Sequence, residues 1–269
     1  MPPDAWEDGD GYERFVGRWS RAVAPRFLAW AEVPSGGRVA DVGCGTGALA
    51  AALLAQGARS VVGLDLSRGF VQEAGRRVLD PRATFVVGDA RALPEATASF
   101  DAAVSGLALN FVPDPSRAAS EMGRVTRPGG VVAAYVWDYA RGMEMLRHFW
   151  DAALEVDPER AAPLDEGRRF PLCGREPLED LFRGARLQDV TAAAIHIEMA
   201  FQNFEDLWRP FLGGQGPGPS YVAGLDAETR DRLRRALRDR VARTDEAPIT
   251  LGARAWAVKG RVPASAGRS

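Results

Sequence analysis

A chain of 269 residues, 46% of them hydrophobic, can bury one sizeable core, or a core with an appended helical cap. A net charge of -2 with 26% charged residues offers no basic surface to a nucleic-acid backbone or an anionic membrane, so neither is expected as a partner. Two cysteines, Cys44 and Cys173, with no Cys or His at ligand spacing, point away from a disulfide framework and from a bound metal.

Residues 1–11 are polar and read as a flexible N-terminus without the basic and apolar regions of a signal peptide. No apolar run approaches the roughly 20 residues that span a bilayer, and the expected location is cytoplasmic. Residues 12–31 place Phe15, Trp19, Val23, Phe27 and Trp30 at helical spacing, which predicts one or two amphipathic helices broken near Pro25. Short apolar runs then alternate with helical stretches. Strands are predicted at 39–42, 60–64, 83–87, 100–105 and 131–137, and helices at 48–56, 69–79 and 115–126. That alternation implies βαβ units and a doubly wound, mostly parallel α/β sheet, whose ligands bind beyond the carboxyl ends of the strands. Further along, helices are expected at 143–154 and 176–182, a strand at 190–199, a mainly helical stretch at 204–241 interrupted by a loop at 213–219, and a last strand at 249–258. The domain reading is a single domain over 12–262, with its core at 36–140, helical cap elements at 12–31, 141–156 and 203–242, and a flexible tail at 263–269.

The chemistry starts in Asp41-Val42-Gly43-Cys44-Gly45-Thr46-Gly47, which leaves a predicted strand and opens a predicted helix. Glycines at alternate positions permit a tight turn and close approach of a ligand. The dinucleotide fingerprint is spaced differently, as G-x-G-x-x-G. An acid two residues before the first glycine would repel a pyrophosphate but suits an ammonium, and S-adenosylmethionine carries an ammonium, a sulfonium and no phosphate. Asp65 closes the second strand, 18 residues after Gly47, where an acid can bond ribose hydroxyls. Asp89 closes the third and can accept from an adenine amino group, with Ala90 giving a main-chain contact.

Together these residues resemble the class I S-adenosylmethionine-dependent methyltransferases. Asp41–Gly47 is similar to the family's first motif, Asp65 to its ribose acid, and Gly88-Asp89-Ala90 to its adenine motif. Phe100–Ser105 resembles the fourth-strand motif and Arg127-Pro128-Gly129-Gly130 the turn before strand five. The resemblance implies a Rossmann-like, seven-stranded sheet with an antiparallel last strand. It also implies S-adenosylmethionine as cofactor and S-adenosylhomocysteine as product. The implied cofactor residues are Asp41, Gly43, Cys44, Gly45, Gly47, Asp65, Leu66, Asp89, Ala90, Ser105 and, from the N-terminal segment, Arg18. Within the class, Leu107–Asp114 resembles the ubiquinone/menaquinone-type small-molecule methyltransferases, except that Asn110 stands where those enzymes often have a histidine.

Acceptor candidates are Tyr12, Trp19, Asn110, Trp137 and Tyr139. His148 and Tyr139 are the candidates for catalysis, needed only if the nucleophile must lose a proton. The helical insertions are expected to form a lid that keeps water from the acceptor. Three other readings compete. One is a methyltransferase acting on RNA or protein, one a non-methylating member of the fold such as a cyclase, and one an NAD-dependent oxidoreductase, which the glycine spacing disfavours. The identity of the acceptor and the oligomeric state are not readable.

Overall fold

Branched and small apolar residues supply the strands, because they pack on a surface covered on both faces by helices. The computed structural model describes residues 13–213, 216–242, 244 and 246–264. Its strands are β1 (Arg38–Val42), β2 (Ser60–Asp65), β3 (Ala83–Val87), β4 (Phe100–Gly106), β5 (Thr126–Trp137), β6 (Gln188–Phe201) and β7 (Ile249–Arg261). They form one seven-stranded sheet in the order β3-β2-β1-β4-β5-β7-β6. The pairs β1–β2, β1–β4, β2–β3 and β4–β5 are parallel. β7 runs against β5: Gly130 meets Val262 at one end while Asp138 meets Arg254 at the other. The sheet is therefore mixed and mostly parallel, as the strand pattern and the family resemblance require.

The chain divides into two compact units. The sheet unit takes Ser20–Val136, Gly174–Ile195 and the segment from Trp256 onward. Its central strands are fully buried at Val39, Ala40, Ala102, Ala103 and Val132–Ala134. The helix α1 (Arg18–Ala31) lays Phe27 on the ring of Tyr135, with ring centres 4.6 Å apart. α2 (Ala48–Ala55) buries Leu49, Leu53 and Leu54. α3 (Arg68–Arg77) begins where the Ser67 side chain accepts from the Phe70 amide, and α4 (Pro115–Val125) where Asp114 accepts from the Arg117 amide.

The helical unit takes residues up to Trp19, Trp137–Cys173 and His196–Ala255. It holds α5 (Glu144–Val156), α6 (Pro158–Ala161), α7 (Glu166–Arg169), α9 (Phe204–Trp208), α10 (Pro217–Ala223) and α11 (Ala227–Val241), while α8 (Arg175–Gly184) belongs to the sheet unit. Phe149 of α5 stacks on Phe211 with centres 4.2 Å apart, and Phe15 meets the same ring edge-on at 5.3 Å. Glu166 is buried under Trp150, whose indole N–H donates to its carboxylate, and burial raises its pKa to about 7.

Three expectations are corrected. No break occurs at Pro25; α1 runs through it as a single helix, preceded by a π-helical turn at Glu13–Gly17. Arg127–Gly130 is no turn before strand five but lies inside β5. Ala102 of β4 pairs with Val131, whereas Phe100 pairs with Thr126, so the extra residues bulge out. Gly129, at φ +75°, supplies the bend, and its amide bonds the Val262 carbonyl. Finally, the loop expected over 213–219 ends early, because Pro217 starts α10 from a first-turn position where its missing N–H costs nothing.

Candidate functional site

The parallel register decides which residues meet. Val42 pairs with Leu64, Asp65 with Val87, and Asp41 with Val104, so the carboxyl ends of β1 to β4 form one edge. That edge gathers Asp41, the glycine loop, Asp65, Leu66, Asp89, Ala90 and Ser105. Asn110 follows on a 3-10 turn, Leu109–Phe111, just past β4.

Asp41 is fully buried, and neither of its carboxylate oxygens has a hydrogen-bond partner. Burial chiefly, and then the charge of Asp65, raise its pKa to about 7, while the Ala50 amide pulls slightly the other way without reaching bonding geometry. A buried carboxyl group without partners suits a cation or a hydrogen-bond donor. Ser105 Oγ and both polar atoms of the Asn110 amide are likewise buried and unpartnered. Asp65 is engaged on one side: its oxygens accept from the Gly45 amide and the Ser67 amide, each at 2.9 Å. Burial pushes its pKa up and those two amides pull it down. The Cys44 thiol is pushed well up by burial and by the charges of Asp41 and Asp65, so it is no nucleophile.

The glycine loop is shaped by contact. Gly43 has φ +74°, and a Cβ there would fall 2.3 Å from the Cβ of Ala108. A Cβ on Gly45 would meet nothing within 4 Å, which leaves open space on the ligand side. The amide of Gly43 is spent on the Leu64 carbonyl at 2.7 Å and that of Cys44 on the same oxygen at 3.0 Å. Gly45 gives its amide to Asp65, and Gly47 gives its own to the Cys44 carbonyl at 2.9 Å. A pyrophosphate needs such amides free. Here they are not, and a buried acid lies behind them. Leu66, 70% exposed, presents an apolar face beside Asp65.

S-adenosylmethionine meets these conditions: its ammonium suits Asp41, its ribose Asp65, and its adenine the apolar surface of Leu66. Asp89 is less free than the sequence implied. Arg91 grips it through both carboxylate oxygens at 2.8–3.1 Å and holds its pKa below the usual range. Two residues missed by the sequence reading thus shape this edge: Arg91, which an Asp-x-Arg pattern could have flagged, and Ala108, whose contact with Gly43 nothing in the sequence marks.

The remaining candidates are described by their own unit. Arg18, Trp19, Trp137, Tyr139 and His148 belong to the helical unit, and Tyr12 lies outside the described residues. Arg18 pairs with Asp206 at 3.2 Å. Trp137 is buried with its indole nitrogen unpartnered. Tyr139 is buried with its ring centre 5.6 Å from that of Phe170. His148 is half-buried on α5. Among the described residues no group of three or more His, Cys, Asp or Glu is arranged to hold a metal ion, and no helix is long and apolar enough to cross a membrane.

Comparison with known proteins agrees with this geometry. A family profile described as "Methyltransferase domain" matches residues 40–134. The demethylmenaquinone methyltransferase of Roseiflexus sp. (strain RS-1) is 36% identical over 188 residues, covering 63% of this chain and 78% of that protein. The ubiquinone/menaquinone biosynthesis C-methyltransferase UbiE of Desulfotalea psychrophila is 33% identical over 188 residues, covering 64% of this chain and 73% of that one. Among solved structures, the Haemonchus contortus phosphoethanolamine N-methyltransferase 2, crystallised with S-adenosylhomocysteine, shares the fold. Its TM-score is 0.57 at 19% identity, over 95% of this chain and 57% of that one. The chain belongs to the class I S-adenosylmethionine-dependent methyltransferases, and S-adenosylmethionine is its cofactor.

Proposed function

We propose that the protein methylates a small molecule by in-line displacement, with the cofactor held at the carboxyl edge of β1 to β4. The observation that carries this reading is the buried, unpartnered Asp41 carboxylate behind a glycine loop whose amides are spent. When bound, S-adenosylmethionine supplies an electrophilic methyl group on a good leaving group. The chain's task is then to bind, orient and keep the site dry.

In this reading Asp41 takes the ammonium, helped by main-chain carbonyls of Cys44, Gly45 and Gly47, with Ser105 as a further hydroxyl. Asp65 takes the ribose hydroxyls. Leu66 covers one adenine face, and Asp89 and Ala90 meet the adenine edge. Asn110 orients the acceptor: its amide can donate and accept but cannot remove a proton. A carbon acceptor of the kind named for the quinone relatives must lose one, so Tyr139 and His148 are the proposed proton acceptors. Trp19 and Trp137 are proposed to choose the acceptor. We place the protein in the cytoplasm, acting on neither nucleic acid nor membrane. Transfer of labelled methyl from the cofactor, compared between small-molecule, RNA and protein fractions of a cell extract, tests the acceptor class; label in RNA or protein would overturn it.

Ligand stabilisation checks the cofactor site. S-adenosylhomocysteine at about 100 times its Kd should add roughly 2.7 kcal/mol to unfolding, and NAD should add nothing. A Tm raised by NAD alone would contradict the account of the loop amides.

The state of Asp41 gives a pH signature. Its folded pKa, about 7, lies above the ordinary value of 3.8. Ionised Asp41 therefore costs the ligand-free fold stability, increasingly as pH rises from about 4 through 7. An ammonium ligand needs that ionised form. The Kd for S-adenosylhomocysteine should be lowest near pH 8 and weaken as pH falls below about 7. Asp41→Asn should bind more weakly and show a flat profile over the same range. A wild-type profile flat from pH 6 to 8 would take the ammonium role away from Asp41.

A further inference from the structure

Within the sheet unit, the acid that follows β3 is held by one arginine, and that arginine is braced by one helix. Three donors of Arg91 reach the Asp89 carboxylate. The Arg91 amide lies 2.8 Å from Oδ1, Nε lies 3.0 Å and 3.1 Å from the two oxygens, and Nη2 lies 2.8 Å from Oδ2. An ionised carboxylate offers about four acceptor sites. Three donors therefore leave it about one. The Asp89 side chain is 33% exposed, so a ligand can reach that site. The Asp89 carbonyl accepts from the Ala92 amide at 2.9 Å, which closes a tight turn around the pair. The side chain and amide of Arg91 hold the Asp89 carboxyl below the usual carboxylate range. Kept ionised, it accepts hydrogen bonds and has none to give.

The helix α4 braces the segment that carries Arg91. Arg117, Glu121 and Arg124 stand at i, i+4 and i+7, on one face of that helix. Arg117 Nε donates to the Arg91 carbonyl at 2.7 Å. Glu121 Oε2 accepts from the Leu93 amide at 2.9 Å. Arg124 donates to the Leu93 carbonyl at 2.9 Å and to the Glu95 carbonyl at 2.8 Å. Glu121 and Arg124 also grip each other through two bonds of 2.7 Å. Half-exposed ion pairs add little to stability. What such a set does supply is geometry: charge-assisted forks fix the direction of each partner.

We propose that Arg91 is the positioning residue that sets base specificity at the cofactor site, because it leaves Asp89 one acceptor site, which takes a hydrogen of the adenine 6-amino group and rejects a 6-oxo base. This rests on the reading of Asp89 as the adenine acid and adds the residue that makes it selective. The test compares S-adenosylhomocysteine with S-inosylhomocysteine, in which a carbonyl oxygen replaces the amino group, by calorimetry on the full chain at one pH. The two share the ribose and the amino-acid chain, so the ratio of their Kd values cancels Asp41 and Asp65 and reads the base edge. The wild-type chain should favour the amino compound about tenfold or more. Arg91→Met should cut that ratio severalfold. Arg91→Lys, which keeps the charge but loses the fork, should retain part of it. Arg117→Met, which leaves every Asp89–Arg91 contact in place, should stay closer to the wild-type ratio than Arg91→Met does. A wild-type ratio near one overturns the proposal, as does an Arg91→Met chain with an unchanged ratio. If Arg91→Met weakens both ligands equally, Arg91 only braces the loop; if it raises the ratio, Arg91 competes with the base. Either result also overturns the proposal. Failure of the cofactor reading is seen separately, as a wild-type chain that binds neither compound.

Discussion

A Gly43→Ala variant should lose about 2–4 kcal/mol of stability, the sum of forcing an L-residue into the left-handed region and overpacking a closed contact. Its φ is +74°, and the added methyl would fall 2.3 Å from the Cβ of Ala108. The backbone on either side is tied by the Gly43 and Cys44 amides to one carbonyl, that of Leu64, so neither end can swing away. Urea unfolding of the ligand-free chain measures the effect. Gly45→Ala is the comparison, since Gly45 also has positive φ, +51°, but its Cβ meets nothing within 4 Å. It should cost stability by strain alone, about 1–2 kcal/mol. Removing the opposing methyl in Gly43→Ala/Ala108→Gly should recover part of the loss, because the two positions are in direct contact. Equal stability of the two single variants would show that the approach of Ala108 does not limit this turn.

Asp65→Ala should weaken S-adenosylhomocysteine binding by roughly 1.5–3 kcal/mol, the range for a charged acceptor removed from hydroxyl partners. The same substitution strips the acceptor from the Gly45 and Ser67 amides. The loop should therefore loosen, and the ligand-free chain should also melt earlier. Asp65→Asn separates the two effects. It keeps one oxygen for an amide but has no second carboxylate oxygen, so it should spare more stability than affinity. Calorimetry at fixed pH decides the matter. An Asp65→Ala chain that is folded and binds with unchanged Kd would remove the ribose role.

Much of the cofactor edge was legible because it is local. A strand, a tight turn and a helix follow one another within Arg38–Ala55, and the acids of β2 and β3 sit at strand ends that parallel pairing must align. Apolar periodicity likewise located the strands to within a few residues. What escaped depends on partners remote in sequence or on packing. Arg127–Gly130 looks like a turn by composition, yet the Gly129 amide donates to the Val262 carbonyl and the Gly130 carbonyl accepts from the Val262 amide, so the segment joins a strand. Pro217 looks like a loop residue, yet it suits a first helical turn. Arg18 and Asp206 pair across 188 residues, and no local pattern announces that. The contact of Ala108 with Gly43 depends on how two loops approach, which spacing does not encode.

The order of the strands in the sheet has a consequence for synthesis of the chain. β7 lies between β5 and β6, yet β6 leaves the ribosome first. Until Ile249–Arg261 has been made, β5 presents a row of unpaired main-chain groups, and β6 has no neighbour against which to register. A nascent chain halted after β6 should therefore hold the β1–β5 part of the sheet with one raw edge. Such an edge invites pairing with another chain or with β6 in the wrong place. Completing the sheet is then a late, long-range event that slips a strand between two others, and it should be the step most dependent on chaperones in a translating cell.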